Sequence, residues 1–285
     1  MKSVISASRR TDIPAFYLDW FMDAICRGHI LVQNPLYPVQ YRSVNLDPAH
    51  VGWIVFWSRN YATFLKNYTF FEDYQLFFHF TILSSCRLFE SYHLSLKSVI
   101  IQIGEIAKLY GPEKIIWRYD PIIIWEKKGI VQTNFNPREY TAICRELSQM
   151  KVDKCYFSFV TPYRKVLRRL SALDPDIKLL HHGTEKALTI LNEMKDITAK
   201  WKIQLFSCSN DQIVGEGIRR GSCISGEYLN KLSGTRVVST AKAPGRKDCG
   251  CTLSIDIGSY TGHPCRYGCL YCYANPVTGI KSRDI

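Results

Sequence analysis

The chain has 285 residues, of which 46% are hydrophobic and 22% are charged, a composition that excludes disordered and collagen-like proteins. Its 37 Lys and Arg against 25 Asp and Glu give a net charge of +12. That charge favours anionic partners, nucleic acid among them, but it selects none of them.

The N-terminus is the first place to look for a targeting signal. Its apolar stretch is soon interrupted by Arg9 and Arg10, which leaves it too short for a secretory signal. No apolar run elsewhere reaches the roughly 18 residues that a membrane helix needs. We therefore expect a cytoplasmic protein that has no membrane partner.

Short strands alternate with longer helical patterns along the chain. Runs of β-branched and aromatic residues predict strands at 3–8, 29–34, 53–58, 76–82, 114–119, 154–160, 202–207 and 251–257. Apolar residues at helical spacing predict helices over 95–110 and 184–200, and Pro137 after Asn136 marks another helix start. Strand–helix repeats require a largely parallel sheet covered by helices. About eight strands over this length suit a closed (β/α) barrel of the TIM type.

Two stretches interrupt the predicted barrel. Residues 35–48 have little helical character, so the second crossover is irregular and the barrel is imperfect. A joint rich in Lys, Pro and Gly at 239–248 separates the barrel from the end of the chain. We therefore expect a barrel-like domain over 1–240 and a cysteine-rich segment over 241–285 that completes it.

Polar residues follow the predicted strands in a consistent way. Arg9, Arg10 and Asp12 come after the first strand, and Arg118 and Asp120 end a later one. In a parallel barrel, the carboxyl ends of the strands form the mouth where ligands bind. Guanidinium groups there suit a carboxylate, a ribose or a phosphate. We interpret the first three residues as cofactor-binding and the last two as catalytic; a plain salt bridge between Arg118 and Asp120 is the alternative.

Eleven cysteines, an odd number in a chain without a signal, argue against a disulfide framework. Crowded thiols in a reducing compartment indicate metal binding. The crowded ones are Cys208, Cys223, Cys249, Cys251, Cys265, Cys269 and Cys272. The last three form a C-x-x-x-C-x-x-C loop, which can hold three irons of a cubane cluster and leave the fourth iron without a ligand from this loop. Gly268 would let the backbone turn tightly beside the cluster.

This loop resembles the cluster loop of the radical S-adenosylmethionine superfamily, C-x-x-x-C-x-aromatic-C, with Tyr271 in the aromatic position. The wider chain resembles a bacterial and archaeal family of unknown function that shares SRRTDIPAFY, VFWSRN, WRYDPI and GC-x-YCYAN. The superfamily resemblance implies a 4Fe–4S cluster on Cys265, Cys269 and Cys272, with S-adenosylmethionine chelated at the open iron. It further implies a 5′-deoxyadenosyl radical that abstracts hydrogen from substrate, and a low-potential electron donor such as a flavodoxin or ferredoxin.

The position of the motif departs from the superfamily's pattern. It follows the last predicted strand instead of the first. A circular permutation would explain this, with the strand of Asp256 lying beside the N-terminal strand. The superfamily's glycine-rich strand for the methionyl amine is not identifiable in this sequence.

Four crowded cysteines lie outside the loop, and three interpretations of them stay open. Cys208, Cys223, Cys249 and Cys251 suit a second, auxiliary iron–sulfur cluster. Alternatively, Cys249 or Cys251 gives the first cluster a fourth ligand and makes it an electron carrier. In the third interpretation, Cys208 and Cys223 are merely small buried hydrophobes.

The sequence as a whole predicts an iron–sulfur protein. We expect an atypical radical S-adenosylmethionine enzyme that acts on an unknown substrate, with a nucleotide or nucleic acid worth testing because of the net charge. The alternative is a non-catalytic redox or structural protein whose iron–sulfur or zinc site is fully ligated by cysteine.

Overall fold

The computed structural model describes residues 1–34, 37, 39–92, 94–244 and 248–277. Its strands are β1 (Ser3–Ala7), β2 (His29–Gln33), β3 (Tyr41–Asn45), β4 (Val51–Ser58), β5 (Leu76–Thr81), β6 (Ile115–Ile122), β7 (Ile124–Lys127), β8 (Ile130–Thr133), β9 (Lys154–Phe159), β10 (Lys178–Leu179), β11 (Gln204–Ser207), β12 (Ile218–Arg220) and β13 (Ile255–Asp256). Its α-helices are α1 (Ile13–Phe16), α2 (Leu18–Cys26), α3 (Ala62–Lys66), α4 (Leu96–Tyr110), α5 (Pro137–Gln149), α6 (Arg164–Leu173), α7 (Glu185–Lys200) and α8 (Gly226–Ser233). Short 3-10 turns lie at Tyr68–Phe71, Pro112–Lys114 and Asp211–Ile213.

The centre of the molecule is an eight-stranded sheet with the order β12-β11-β9-β6-β5-β4-β1-β13. Every neighbouring pair in it is parallel. Because both faces of the sheet are covered by other parts of the chain, its central strands are buried along nearly their whole length, as β4 and β5 are. The α/β class and the parallel sheet predicted from the sequence are therefore confirmed.

The two faces of the sheet are covered by different parts of the chain. Side chains alternate along a strand, so Phe56 belongs to the core on one face, to which α4, α5 and α7 also contribute residues. Its neighbour Val55 packs on the other face, with Ile224, Cys223 and Cys251. The chain around α8 thus covers the face opposite the crossover helices and brings cysteines onto it.

The sheet shown is open. In the described part of the chain, β12 pairs with β11 and β13 pairs with β1, and no ladder joins the two edge strands. A closed barrel is therefore not shown.

The last strand of the sheet lies beside the first strand of the chain. β13 pairs with β1 in parallel, with Ile255 opposite Ile5 and Asp256 opposite Ser6. This is the neighbour relation expected of a circular permutation. β13 is shorter than the predicted strand 251–257 because Cys251 and Leu253 hydrogen-bond to Ala243 and Ala241 instead.

Two small antiparallel sheets, β2-β3 and β10-β7-β8, depart from the expected strand pattern. The predicted strand at 29–34 forms, but it pairs with β3 outside the main sheet, and its alternating burial fits that place. β7 and β8 form a hairpin, closed at Lys128 and Gly129, that the sequence pattern did not suggest.

The predicted helices are confirmed. α4 ends before Gly111, α7 spans 185–200, and Asn136 caps α5 with Pro137 in its first turn. No helix among the described residues is both long enough and apolar enough to cross a membrane.

Several sequence predictions fall partly outside the described residues. They concern 35, 36 and 38 of the second crossover, 245–247 of the joint, and 278–285 of the cysteine-rich segment. The division into 1–240 and 241–285 stays a prediction, with β13 of the second part bound to β1 of the first.

Candidate functional site

The segment after β13 lies across the edge of the sheet where the strands end. Parallel strands carry their carboxyl ends to one edge, and several contacts hold the segment there. Tyr17 donates to the carbonyl of Pro264 at 2.7 Å, and the amide of Leu270 donates to Phe89 at 3.0 Å. The hydroxyl of Tyr273 donates to the carbonyl of Arg9. The cysteine loop therefore sits where the predicted mouth lies.

The three cysteines of this loop are close enough to influence one another. Burial raises the pKa of Cys265 most, and the charges of Cys269 and Cys272 add to the shift. Burial likewise raises the pKa of Cys269 to about 12, with Cys272 contributing. Gly268 between them has a φ of +66°, the left-handed conformation expected of a glycine there. The thiols are protonated at neutral pH, and a metal would displace those protons on binding.

Two N–H donors point at sulfurs of the loop. Arg59 Nη1 lies 3.4 Å from Cys269 Sγ, and the amide of Ala274 lies 3.4 Å from Cys272 Sγ. Burial disfavours the charge of Arg59, but Glu90 at 3.0 Å, Tyr271 and Cys269 together outweigh it, and the pKa of Arg59 is raised. Hydrogen bonds to cluster sulfurs are one of the ways in which proteins set a cluster's potential.

Arg59 and Glu90 were not singled out from the sequence. Arg59 follows the buried strand β4, which is a signal of the same kind as the one given by Arg9 after β1. Glu90 lies in an irregular segment, and its place beside the loop follows from the fold alone. Tyr271, the aromatic residue of the motif, donates to Glu90 through its hydroxyl.

A basic helix also faces the loop. Arg169 of α6 donates to the carbonyl of Cys272, and Lys165 Nζ lies 3.3 Å from the side-chain oxygen of Asn275. Val166 and Leu170 bury the other side of this helix. Two more positive charges thus lie beside the loop.

The predicted cofactor-binding arginines lie at the pairing of β1 with β13. Asp256 accepts from Ser8 Oγ at 2.5 Å and from the Arg9 amide at 2.8 Å. Arg10 Nη1 donates to the carbonyl of Gly258 at 3.0 Å. A cavity of about 410 Å³ opens beside them and is lined by Arg9, Arg10, Arg42, Ser254 and Asp256, among others. Its volume is within the range of small-molecule sites.

Asp12 has a different environment. Its carboxylate caps α1 by accepting from the Ala15 amide, and it also accepts from Ser58 Oγ at 2.8 Å and the Arg59 amide at 3.0 Å. Burial raises the pKa of Asp12 to about 6, although these hydrogen bonds lower it. The side chain ties the loop after β1 to the loop after β4.

Arg118 and Asp120 form an ion pair at the end of β6. Ser158 on β9 also donates to Asp120, and Arg118 Nη1 reaches Cys223 Sγ at 3.0 Å. The salt bridge considered from the sequence is therefore present, and the arginine contacts a thiol as well. The His79 ring stacks on the Trp57 ring, with 3.9 Å between the centroids. Burial lowers the pKa of His79 well below its usual value, and the charge of Arg118 lowers it further.

The four remaining crowded cysteines, Cys208, Cys223, Cys251 and Cys249, form a group that we call the four-thiol row. Cys208 Sγ and Cys223 Sγ are 3.3 Å apart, and Cys251 is within hydrogen-bonding reach of both Cys223 and Cys249. The hydrogen bond from Cys251 lowers the pKa of Cys249 to about 6. Cys251 thus links the thiol of Cys249 to that of Cys223.

Asp120 influences one cysteine in each of the two groups. The pKa of Cys208 is raised by its hydrogen bond to Cys223 and also by the charge of Asp120. The pKa of Cys272 is raised by burial and also by Asp120. One carboxylate is therefore within electrostatic reach of the loop and of the row.

A single metal ion would need several ligand atoms around one point. Across the residues described, no group of three or more His, Cys, Asp or Glu side chains is arranged in this way. In an iron–sulfur cluster each thiolate binds a different iron, so the sulfurs need not converge on one point. The three loop thiols, with N–H donors on two of them, fit that kind of group.

The chain is similar to one described protein family. Residues 4–274 match a family described as a domain of unknown function, DUF1848. Among curated proteins, none matches. The resemblance to an uncharacterised family is therefore confirmed over nearly the whole chain.

Proposed function

We propose, for a chain that belongs to the DUF1848 family of unknown function, an atypical radical S-adenosylmethionine enzyme. Cys265, Cys269 and Cys272 would hold its 4Fe–4S cluster. One observation carries the proposal: three mutually interacting thiols lie on one short loop at the carboxyl edge of a parallel sheet. When bound, the cluster would supply the single electron that cleavage of the sulfonium needs.

The residues around the loop have roles of their own. Arg59 and the Ala274 amide donate to sulfur, which stabilises negative charge on the ligands. Glu90 holds Arg59 in place from its far side. Tyr267, Phe89 and Tyr271 are buried against the loop and exclude water from it. Exclusion of competing reactions is the protein's part in such chemistry.

The cofactor is proposed to bind in the cavity beside Arg9 and Arg10. A guanidinium suits the carboxylate of S-adenosylmethionine. Tyr273, next to the ligand Cys272, donates to the Arg9 carbonyl and so ties the cavity to the loop. Asp12, predicted as a third cofactor-binding residue, is better suited to positioning because three donors already occupy its carboxylate.

Arg118 and Asp120 stay our candidates for the catalytic pair that contacts substrate. They end β6 at the proposed mouth, and Asp120 is within electrostatic reach of Cys272. We also propose that the open sheet is an incomplete barrel, which the segment after residue 240 completes through the pairing of β13 with β1.

The net charge of +12 favours an anionic substrate, for which a nucleotide or nucleic acid is the first class to test. The proposed electron donor is a flavodoxin or ferredoxin. Backbone contacts to nucleic acid would make affinity fall steeply as salt is raised. Affinity that does not change with salt would exclude that class.

The non-catalytic alternative has a weaker basis. An electron carrier would need a fourth cysteine ligand on the cluster of the cysteine loop, and Cys249 or Cys251 was the candidate. Both are grouped with Cys223, which speaks against a closed first site.

The test is anaerobic reconstitution followed by reduction. We expect the wild-type chain to take up iron and sulfide, to change its paramagnetic resonance spectrum when S-adenosylmethionine is added, and to release 5′-deoxyadenosine. The C265A/C269A/C272A variant should lose the last two responses. Cys144→Ala, which removes a buried thiol from α5, is the matched control and should keep them. A wild-type chain that stays colourless after loading would overturn the proposal.

A further inference from the structure

Four thiols from separate parts of the chain meet on the sheet face opposite the crossover helices. Cys208 follows β11, Cys223 follows β12, and Cys249 and Cys251 precede β13. Cys223 and Cys251 are 5% and 3% exposed and belong to the core of that face. Chance contact between two surface thiols is therefore not the explanation.

The backbone around the row is packed closely enough to need glycine. The amide of Gly221 donates to the carbonyl of Ser207 at 2.7 Å. A Cβ at Gly221 would lie 2.6 Å from that same oxygen, so any larger residue would force the two segments apart. Ser222 Oγ donates to Gly250 at 2.8 Å and joins the third segment to them. The three cysteine-bearing segments are thus held together independently of the thiols.

Positive charge accompanies the row. Arg118 is 8% exposed, and its Nη1 lies 3.0 Å from Cys223 Sγ. Arg9 lies within electrostatic reach of Cys251 and Cys223. Four thiolates around a centre of charge 2+ would carry a net charge of about −2, and two neighbouring guanidinium groups would offset it.

Two simpler interpretations explain less. Buried cysteines that act as hydrophobes do not need to gather in one row beside an arginine. A disulfide between Cys208 and Cys223 would use the 3.3 Å pair but would leave Cys249 and Cys251 without a role.

We infer that Cys208, Cys223, Cys249 and Cys251 form a second metal site, a centre bound by four thiolates. Thiolate sulfur selects iron–sulfur clusters and zinc, and metal and sulfide analysis separates the two. Each thiol would release its proton to solvent as its sulfur binds Zn²⁺ or an already assembled 4Fe–4S cluster in its 2+ state, so the binding step itself consumes no oxidant or reductant. A zinc ion would require the four sulfurs to turn from the row toward one point, whereas in a cluster each thiolate binds a different iron.

The second site does not depend on the proposed function, because it uses none of the loop cysteines. This allows a test in the C265A/C269A/C272A variant of the full chain. Prepared without oxygen, this variant should hold about four iron and four sulfide per chain, or about one zinc. Adding C223A/C251A should remove that metal. A triple variant with no more metal than the five-substitution variant would overturn the inference.

A second measurement on the wild-type chain guards against variants that fail to fold. Cys208 and Cys249 are partly exposed. Cys26, at the end of α2 and distant in sequence from the four-thiol row, is exposed. In alkylation followed by mass spectrometry, Cys208 and Cys249 should be protected before metal removal and labelled after it. Cys26 should be labelled in both samples. Equal labelling of all three before metal removal, or a Cys208–Cys223 disulfide in anaerobic protein, would contradict the site.

Discussion

The cysteine loop takes its three thiols from eight consecutive residues, Cys265 to Cys272, whereas the four-thiol row draws on segments that reach from Cys208 to Cys251. The loop lies at the edge of the sheet among aromatic side chains. The row lies on the face of the sheet, where a glycine allows backbone segments to touch. A spacing motif can describe the first kind of site but not the second, because only the fold brings the row together.

The cysteine loop and the four-thiol row nevertheless share one arrangement of charged side chains. In each, an arginine donates to a thiol and pairs with a carboxylate: Arg59 with Glu90 at the loop, and Arg118 with Asp120 at the row. The Glu90 side chain is 2% exposed and that of Asp120 is 21% exposed. Glu90 is therefore suited to fixing its arginine, while Asp120 keeps a surface that a substrate could reach.

The strongest test of two separate centres compares Cys272→Ala with Cys223→Ala. Loss of a ligand should exceed the roughly 100-fold effect of losing a partner outside the ligands, so Cys272→Ala should abolish formation of 5′-deoxyadenosine. Cys223→Ala should keep the iron of the loop. Iron per chain and 5′-deoxyadenosine are the measurements. If Cys223→Ala also empties the loop, the two groups form one centre.

The next prediction concerns the two arginines in the metal-free chain. Arg59→Gln takes the guanidinium away from the buried Glu90 carboxylate, which should lower the free energy of unfolding by about 3–5 kcal/mol. Arg118→Gln should cost less, about 1–3 kcal/mol, because water reaches Asp120. Urea denaturation under anaerobic conditions measures both.

Two variants sharpen the arginine comparison. Arg59→Lys keeps the charge and should recover part of the loss. The R59Q/E90Q double variant should be more stable than R59Q, since it also removes the buried carboxylate charge that Arg59 neutralises. Equal losses in Arg59→Gln and Arg118→Gln would show that the two pairs do not differ as their burial indicates.

The stability of the metal-free chain should also depend on pH, because Asp12 titrates differently in the folded and unfolded chain. Burial raises the pKa of Asp12 from 3.8 to about 6, so the folded chain binds a proton more tightly than the unfolded chain does. The protonated state therefore stabilises the fold below about pH 4, and this stabilisation is lost as pH rises to about 6. A shift of this size corresponds to about 3 kcal/mol.

Asp12→Asn is the matched variant for this effect. Its free energy of unfolding should change less between pH 4 and pH 7 than that of the wild-type chain. The difference between the two proteins isolates Asp12 from other titrating groups. A difference that stays constant across this range would contradict the assignment.

Local and repeated patterns were predictable from the sequence. The strands of the main sheet other than β12, which was missed, the cap at Asn136 and the glycine turn at Gly268 each depend on a few neighbouring residues. The pairing of β13 with β1 followed from the motif's unusual position. Family resemblance, not spacing, suggested the cluster.

What escaped prediction depends on contacts between distant parts of the chain. Apolar alternation in 29–34 indicates a strand but not its partner, so its separation from the main sheet was missed. Arg59 and Glu90 lie 31 positions apart, and no local signal links them. Whether a sheet closes depends on the register and tilt of all its strands, which strand patterns do not contain.

The smallest predicted effect is on stability, and it comes from replacing a glycine that has a positive φ. Comparing two such glycines separates the cost of the backbone conformation from the cost of crowding around the new side chain. Gly28 and Gly268 have φ of +73° and +66°. Nothing lies within 4 Å of a Cβ built on Gly28, whereas one on Gly268 would lie 3.2 Å from Ser91 Oγ and 3.3 Å from the Val277 carbonyl. Gly28→Ala should cost about 1 kcal/mol from conformation alone. Gly268→Ala should cost more and should also lower iron retention, because the loop must shift. A urea titration measures the two stability costs, and iron per chain after gel filtration measures iron retention. Equal iron in the two variants would mean that the loop keeps its shape without the glycine.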